Sequence, residues 1–379
     1  MAKSKPKAKK AAPKARKIAP KPKKKMVTKA PKPKAKVAAR PKTIAKPKAA
    51  ARPAAAPRAK APSGPKIPSY SELPVRAGAP EGAAWGVFGD DDEVGTINLM
   101  TPERVVWAAQ SIKNGKVFAL NLPINIPDPP LFTRGKHQHT VKIFPNAEYV
   151  LDDYLDNFYP QASSQWDALA HVKHPVDGAY NGIPDYEITG RGGTRLGIDN
   201  MARRGIAGRG VLADIDRYYE KVGKSIDFIR AMSIPLEDLQ DTLDAQKTRI
   251  AAGDILLIRI GWTKFYMSAS PELKEELARE TVVPGIEGSE RTARWLWDNH
   301  VAAVASDSPA LEALPKSEGE EFLHFRMLSY FGMPIGEMWN LEGLAADCAA
   351  DGRYEFFITS APLNIPGGVG SPPNALAIK

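Results

Sequence analysis

Residues 254–261 read Asp-Ile-Leu-Leu-Ile-Arg-Ile-Gly, an apolar run of strand length that ends at a glycine. Such a run predicts a β-strand. Further apolar runs predict strands at residues 117–122, 210–216, 301–306 and 354–359. Helical patterns occur at residues 101–113, 235–245, 271–279 and 288–299. Strands interleaved with helices indicate an α/β or mixed-sheet architecture.

Charge divides the chain into two parts. Residues 1–66 contain 24 of the 53 Lys and Arg residues and no Asp or Glu, so residues 67–379 carry a formal charge of −14 within a chain of net charge +10. The first part is rich in Lys, Pro and Ala and cannot bury enough apolar surface to offset the entropy of ordering, which predicts a disordered tail. Two roles are open for it: non-specific contact with a polyanion, or a solvated tail. We expect residues 67–379 to form the folded domain.

Cysteine usage and hydropathy bear on the compartment. The single cysteine, Cys348, excludes an internal disulfide and suits a reducing compartment. The sequence has no apolar run of about 18 residues, so no membrane span is predicted. It also has no early apolar segment typical of a secretory signal. We therefore expect a cytoplasmic protein without a membrane partner.

Residues 161–171, Gln-Ala-Ser-Ser-Gln-Trp-Asp-Ala-Leu-Ala-His, carry polar groups at regular intervals. In an extended strand, Gln161, Gln165 and Asp167 point to the same side. If the chain then becomes helical, Asp167 and His171 share a face at spacing i, i+4. A carboxylate beside an imidazole can bind a metal or form an oriented base. The alternative is a buried Asp–His hydrogen bond that only stabilises the fold.

A second group of polar residues lies downstream. His324 is followed by Glu337 in the segment Pro-Ile-Gly-Glu-Met-Trp-Asn, and Asp307 closes the strand predicted at 301–306. Loops that follow strand ends are frequent positions of active-site residues in α/β proteins. Because the chain has only six histidines, His171 and His324, which lie near acidic residues, are the stronger candidates for chemistry.

Together these segments resemble the cyclase family of metal-dependent hydrolases, which includes bacterial kynurenine formamidase and isatin hydrolase. The family signature His-x-Gly-Thr-His-x-Asp-x-Pro-x-His corresponds to residues 161–171, and the resemblance covers about residues 80–379. The further stretches that carry it are Trp85-Gly, Gly-Thr-Ile-Asn-Leu-Met-Thr-Pro-Glu-Arg at 95–104, the run at 254–262, His324, Gly-Glu-Met-Trp-Asn-Leu at 336–341 and Gly-Gly-Val-Gly-Ser-Pro-Pro-Asn at 367–374.

The resemblance implies a swivelling β/β/α domain that assembles as a homodimer or homotetramer. It also implies a divalent metal, zinc or manganese, held by the signature residues together with a downstream His and Glu. Carried over to this chain, Asp167, His324 and Glu337 are metal ligands, and His171 takes the place of the catalytic histidine.

Two glutamines depart from the family pattern. Gln161 and Gln165 stand at the positions where the family has its two histidine ligands. A glutamine carbonyl oxygen is a hard, neutral and weak ligand, unlike imidazole. The change disfavours zinc most. Magnesium, manganese or calcium, or no metal, are the alternatives.

These residues lead to a hypothesis about activity. A bound metal would polarise a carbonyl group and lower the pKa of water, while His171 would act as general base and then as general acid. Trp85 and Trp166 would stack on an aromatic substrate or, alternatively, belong to the core. We expect hydrolysis of an amide, imide or lactone bond in a small cyclic or aryl substrate. The alternative is a catalytically impaired family member that binds a ligand or serves as a scaffold, with a polyanion-binding tail.

Overall fold

A mixed sheet of nine strands forms the centre of the fold. The computed structural model describes residues 61–62, 66–188, 194–280 and 282–379. The predictions of disorder and polyanion contact concern the tail, residues 1–66, and all of these except 61, 62 and 66 lie outside the described residues.

Strands and helices follow one another along the described part of the chain. The strands are β1 (Val117–Ala119), β2 (Gln138–Phe144), β3 (Ala147–Asp156), β4 (Gln165–Asp167), β5 (Ile206–Asp214), β6 (Ser233–Ile234), β7 (Ile255–Arg259), β8 (Gly285–Ile286), β9 (Ala303–Ser306), β10 (Ile335–Glu337), β11 (Glu355–Ser360), β12 (Gly370–Ser371) and β13 (Ala375–Ile378). The α-helices are α1 (Pro102–Ala109), α2 (Asp185–Ile188), α3 (Ile198–Arg204), α4 (Ile215–Val222), α5 (Leu236–Ala245), α6 (Trp262–Ser268), α7 (Pro271–Arg279), α8 (Glu290–Asp298) and α9 (Glu342–Asp351). The 3₁₀ segments are Tyr70–Glu72, Gly95–Leu99 and Tyr180–Gly182, and a π-helix spans Phe325–Phe331.

The order of strands in the sheet is β1-β13-β11-β5-β7-β9-β10-β4-β12. Neighbouring strands from β5 to β10 are parallel, whereas the outer strands pair antiparallel. The parallel pairs need crossover connections, and these contain α4 and α5 between β5 and β7, and α6, α7 and α8 between β7 and β9. A separate hairpin is formed by β2 and β3.

Strand β7 shows why this sheet lies inside the protein. All five of its residues are buried. Leu256 and Ile258 belong to one hydrophobic cluster, whereas Ile255 and Leu257 belong to another. Because successive side chains of a strand point to opposite faces, the sheet has an apolar layer on each side. The α/β class expected from the sequence is confirmed. None of the described helices combines the length and apolar character that crossing a bilayer requires.

Asp307, directly after β9, carries a buried carboxylate. Its two oxygens accept hydrogen bonds from the backbone N–H groups of Ile260 and Gly261, both at 2.8 Å. Burial raises the pKa of Asp307 to about 7, although the charge of Arg259 and the two backbone donors oppose this shift. The folded protein therefore holds a proton on Asp307 at a pH where the unfolded chain has released it.

The raised pKa of Asp307 has a predictable effect on stability. The contribution of the protonated group is fully present below pH about 4 and is lost as pH rises to about 7, at about 1.4 kcal/mol per pH unit within that window. Denaturant unfolding of the wild type and of Asp307→Asn at pH 4 to 8 measures it. We expect the stability difference, wild type minus variant, to fall across this range. The exposed Asp91→Asn serves as control, and a flat difference for Asp307→Asn would refute the assignment.

Candidate metal centre

Two paired strands bring three polar side chains together. In the antiparallel pair of β4 and β10, Glu337 lies opposite Gln165, and Ile335 lies opposite Asp167. The Gln165 amide Nε2 donates a hydrogen bond to Glu337 Oε2 at 2.5 Å. Because Gln165 and Asp167 are two positions apart on one strand, their side chains share the face that also carries Glu337.

His324 completes the cluster from the position that precedes the π-helix. Its Nε2 lies 3.1 Å from Glu337 Oε1 and 3.7 Å from Asp167 Oδ2. One potential ligand atom from each of Asp167, His324 and Glu337 lies within 4.8 Å of the others. All three side chains are almost completely buried. The structure therefore joins the three residues expected to keep ligand chemistry.

Glu312 holds the imidazole of His324 in place. Both carboxylate oxygens of Glu312 lie 3.0 Å from His324 Nδ1, and the backbone N–H of His324 donates to Oε1 at 3.2 Å. A proton on Nδ1 leaves Nε2 facing Asp167 and Glu337, as in the carboxylate–histidine arrangements around metals. Glu312 was not among the residues predicted from sequence. The available signal was a lone acid in the apolar stretch Pro-Ala-Leu-Glu-Ala-Leu-Pro at residues 309–315.

Unpaired oxygen atoms point to what the cluster binds. Both carboxylate oxygens of Asp167 and the carbonyl Oε1 of Gln165 are buried without a hydrogen-bond partner among the described residues. Buried polar atoms normally have a partner, because leaving one unsatisfied costs free energy. Carboxylate and carbonyl oxygens with one imidazole nitrogen form a donor set that suits a divalent cation. The residues present therefore fit a divalent metal.

His171 lies at the open side of the cluster. Its Nε2 is 3.6 Å from Asp167 Oδ1, and its side chain is 24% exposed, in contrast to the buried Asp167. The backbone N–H of His171 donates to Ala168 O at 2.9 Å, which closes a turn in place of the helix considered above. The predicted extended segment is shorter than expected, since β4 contains only Gln165–Asp167. The predicted pairing of Asp167 with His171 is nevertheless present.

Burial and charge act against each other on the two carboxylates. Burial disfavours the charged form of Asp167, but His171, His324 and Arg134 together outweigh it and lower its pKa. For Glu337, burial and the neighbouring charge of Asp167 raise the pKa to about 7, although His324 opposes this shift. Two acids at one site thus have pKa values displaced in opposite directions, as is frequent at functional sites.

The two histidines also differ. Burial disfavours the charged form of His324, but Glu312 and the ligand carboxylates prevail and raise its pKa well above the ordinary value. For His171, the charge of Asp167 favours protonation, whereas burial, His324 and Arg134 together outweigh it and lower the pKa. His171 is therefore the imidazole that stays neutral near pH 7.

Gln161, also predicted as a ligand, packs against the strand beside Asp167. Gln161 is mostly buried, and its Nε2 packs against Gly370, where an added Cβ would lie 2.6 Å away. Gly370 lies on β12, directly opposite Asp167 of β4. The structure thus places Gln161 beside the strand next to Asp167.

Both predicted tryptophans pack as core residues rather than as stacking surfaces. Trp166 has no exposed surface, donates from Nε1 to Ser360 Oγ at 2.9 Å and meets the ring of Trp339 edge-on at 4.8 Å. Trp85 is 5% exposed and donates to Ser329 O at 2.7 Å. Stacking on a substrate needs an accessible ring face, so the structure supports the core alternative for both residues.

The chain is similar to several known proteins. A sequence model described as putative cyclase matches residues 101–313. A crystal structure of a novel cyclase is 38% identical, covers 78% of this chain and 99% of its own, and superposes with a TM-score of 0.70. An isatin hydrolase bound to the product analogue thioisatinate is 17% identical over 69% of this chain and 91% of its own, with a TM-score of 0.48. Isatin hydrolase A from Ralstonia solanacearum is 18% identical and covers 70% of this chain and 93% of its own, also with a TM-score of 0.48. No curated protein matches the chain.

Proposed function

Because the chain belongs to the putative cyclase family, we propose that it is a metal-dependent hydrolase of an amide, imide or lactone bond in a small cyclic or aryl substrate. The observation that carries the proposal is the buried cluster of Asp167, His324 and Glu337, in which both oxygens of Asp167 lack a hydrogen-bond partner among the described residues. Leaving both oxygens of a buried carboxylate without a hydrogen bond costs free energy, and a bound cation would offset that cost.

Asp167, Glu337 and His324 Nε2 would hold the metal, and Gln165 Oε1 is a further buried oxygen without a hydrogen-bond partner among the described residues. This donor set is rich in oxygen, which favours manganese or magnesium over zinc. When bound, the ion would polarise the substrate carbonyl and lower the pKa of water. Glu312 lies against Nδ1 of His324 and so orients Nε2 toward the site, where binding of the ion would displace the proton that the raised pKa keeps on Nε2.

His171 is the residue suited to moving protons. It is partly exposed and lies next to Asp167, and its lowered pKa keeps it neutral at pH 7. As water adds to the carbonyl carbon, His171 Nε2 takes the proton that water loses. When the bond from carbon to the leaving nitrogen or oxygen breaks, His171 returns that proton to the leaving atom. The products are a carboxylic acid group and an amine from an amide, an amide from an imide, or an alcohol from a lactone.

A second candidate is a family member that binds a ligand without turnover. The observation that favours it is the hydrogen bond from Gln165 Nε2 to Glu337 Oε2 at 2.5 Å. This contact ties up one oxygen of a ligand carboxylate with a neutral amide at a position where the family has a metal-binding histidine. Metal binding without turnover of any carbonyl substrate would support this candidate.

The proposed activity is tested with His171→Ala. Protein loaded with manganese is assayed with N-formylkynurenine, isatin and simple lactones, and the metal content of each sample is measured. We expect the variant to keep its metal and to lose about 10²–10⁴-fold in kcat, the usual contribution of a general acid–base group. His174 provides a matched control, because its side chain is also 24% exposed and pairs with an acid, Asp177, at 2.7 Å. His174→Ala should keep its activity. Absence of turnover by the loaded wild type, or equal rates for His171→Ala and the wild type, would refute the hydrolase assignment.

A further inference from the structure

Arg134 carries a guanidinium group whose inner nitrogen lacks a partner. Its Nη1 is inaccessible to solvent and has no hydrogen-bond partner among the described residues. The charges of Glu337 and Asp167 act on Arg134, and its own charge acts on His171, so the guanidinium lies within the electrostatic field of the metal centre. Within the described parts of the chain, its side chain forms no salt bridge.

The segment around Arg134 holds its side chain in place. The guanidinium lies over the ring of Phe132, 5.0 Å from the centroid. Phe132 and Thr133 both adopt left-handed backbone conformations, with φ of 55° and 60°, which non-glycine residues rarely adopt and which cluster at functional sites. On the other side, Gly135 packs so closely on Asn157 that an added Cβ would lie 2.2 Å from Nδ2. The position of Arg134 is therefore built into the fold.

We propose that Arg134 binds the oxygen that gains negative charge during hydrolysis, and afterwards the carboxylate of the product. A buried guanidinium N–H without an acceptor is costly, and a carboxylate or oxyanion is the acceptor that matches it best. The carboxylates whose charges act on Arg134 are those of Glu337 and Asp167, which are assigned to the metal, so the substrate would supply the missing acceptor. This inference rests on the proposed function and adds the residue that recognises the anionic end of the reactant.

Arg134 acts at the step in which the carbonyl oxygen gains negative charge. Water oxygen bonds to the carbonyl carbon, the carbonyl π pair moves onto oxygen, and the proton of water passes to His171. Arg134 Nη1 donates to the oxygen that now carries the charge. The pair returns as the bond to the leaving nitrogen or oxygen breaks, and the leaving atom receives the proton from His171. A donor already in place for the charged oxygen stabilises the transition state more than the neutral substrate.

The direction in which manganese affinity changes when Arg134 is replaced distinguishes this role from a structural one. The positive charge of Arg134 acts on the same carboxylates that would hold the metal. Removing that charge should leave manganese affinity unchanged or increase it, while anion binding is lost. A residue that merely supports the fold would lower both affinities together.

The test compares Arg134→Gln and Arg134→Lys with the wild type, all loaded with manganese. Calorimetry with benzoate as the carboxylate probe, kcat and KM for a hydrolysed substrate, and manganese affinity are measured. For Arg134→Gln we expect benzoate affinity to fall at least about tenfold and kcat to fall about 10²–10³-fold. For Arg134→Lys we expect a benzoate affinity and a kcat between those of the wild type and Arg134→Gln, because lysine keeps the charge but not the planar fork of donors. Arg76→Gln is the matched control, since Arg76 also lies over an aromatic ring, 5.3 Å from the centroid of Trp85.

The outcomes separate this inference from the proposed function. If wild-type protein binds benzoate through Arg134 but hydrolyses no substrate, the hydrolase proposal fails and the anion site stands. Equal benzoate affinity in the wild type and Arg134→Gln would overturn the inference, as would a wild type that does not bind benzoate. A parallel loss of manganese affinity in Arg134→Gln would also overturn it.

Discussion

Exchange of Asp167 for asparagine is expected to abolish tight manganese binding and to lower kcat/KM by about 10³-fold or more. The variant keeps the size of the side chain but removes the charge of a residue with two fully buried oxygens that lack a hydrogen-bond partner among the described residues. Those oxygens lie beside His171 and His324, at 3.6 and 3.7 Å. Loss of a metal that polarises the carbonyl costs several kcal/mol in the transition state, which corresponds to a factor of this size.

Manganese titration by calorimetry and steady-state kinetics measure the effect of Asp167→Asn. Asp177→Asn is the matched control, because Asp177 also pairs with a histidine, His174, but lies outside the metal centre. The control should retain both metal and activity. An Asp167→Asn protein that is folded and binds manganese as tightly as the wild type would show that Asp167 is not a ligand.

Exchange of Arg259 for methionine is expected to cost about 3–5 kcal/mol of stability. Arg259, at the end of β7, is 3% exposed and forms salt bridges with Asp214 at 2.5 Å, Glu342 at 2.7 Å and Asp216 at 2.9 Å. These contacts tie β7 to the end of β5, to α4 and to α9. Methionine would leave the carboxylate of Asp214, which is 1% exposed, without its buried counter-ion.

Denaturant unfolding measures the cost of Arg259→Met. Arg230→Met is the control, since Arg230 is 82% exposed and 3.6 Å from Asp227; such exposed pairs contribute little. Adding Asp214→Asn to Arg259→Met should restore part of the lost stability, because it removes a buried charge that Arg259→Met leaves paired only with the more exposed Arg217, at 3.1 Å. A loss below about 1 kcal/mol in Arg259→Met would show that the cluster does not stabilise the fold as described.

Local signals were sufficient for several elements. Helix α7 begins and ends where the sequence predicted, at Pro271 and Arg279, because a serine cap, a first-turn proline and a terminal arginine are all local. Helix α1 was predicted to extend to residue 113 but ends at Ala109. From residue 110 onward the N–H groups bond to carbonyl oxygens three residues back, which tightens and ends the helix.

Other elements depend on contacts that the sequence does not display. The hairpin of β2 and β3 was not predicted, since β2 is exposed along nearly its whole length and shows no apolar face. Strand β5 starts at Ile206, before the predicted residue 210, because residues 206–210 pair with β11. Pairing with a distant strand, rather than local composition, sets that boundary.

The candidate metal centre also has some features that the sequence predicts and others that depend on tertiary contacts. Asp167, His324 and Glu337 were identified through the family resemblance, whereas their convergence depends on the register of β4 with β10 and on the position of His324. Glu312 and Arg134 escaped prediction because a second acid and an unpaired cation have meaning only once their neighbours are known. The opposite error occurred for Trp166, which was a candidate for substrate stacking because it lies within the signature but is fully buried.

The central claim is that Asp167, His324 and Glu337 hold a divalent metal. Anomalous diffraction from crystals of the protein soaked in manganese tests it most directly. We expect an anomalous peak within bonding distance of Asp167, His324 Nε2 and Glu337, which disappears in Asp167→Asn. An empty cluster at saturating manganese, or a peak bound only by other residues, would contradict it.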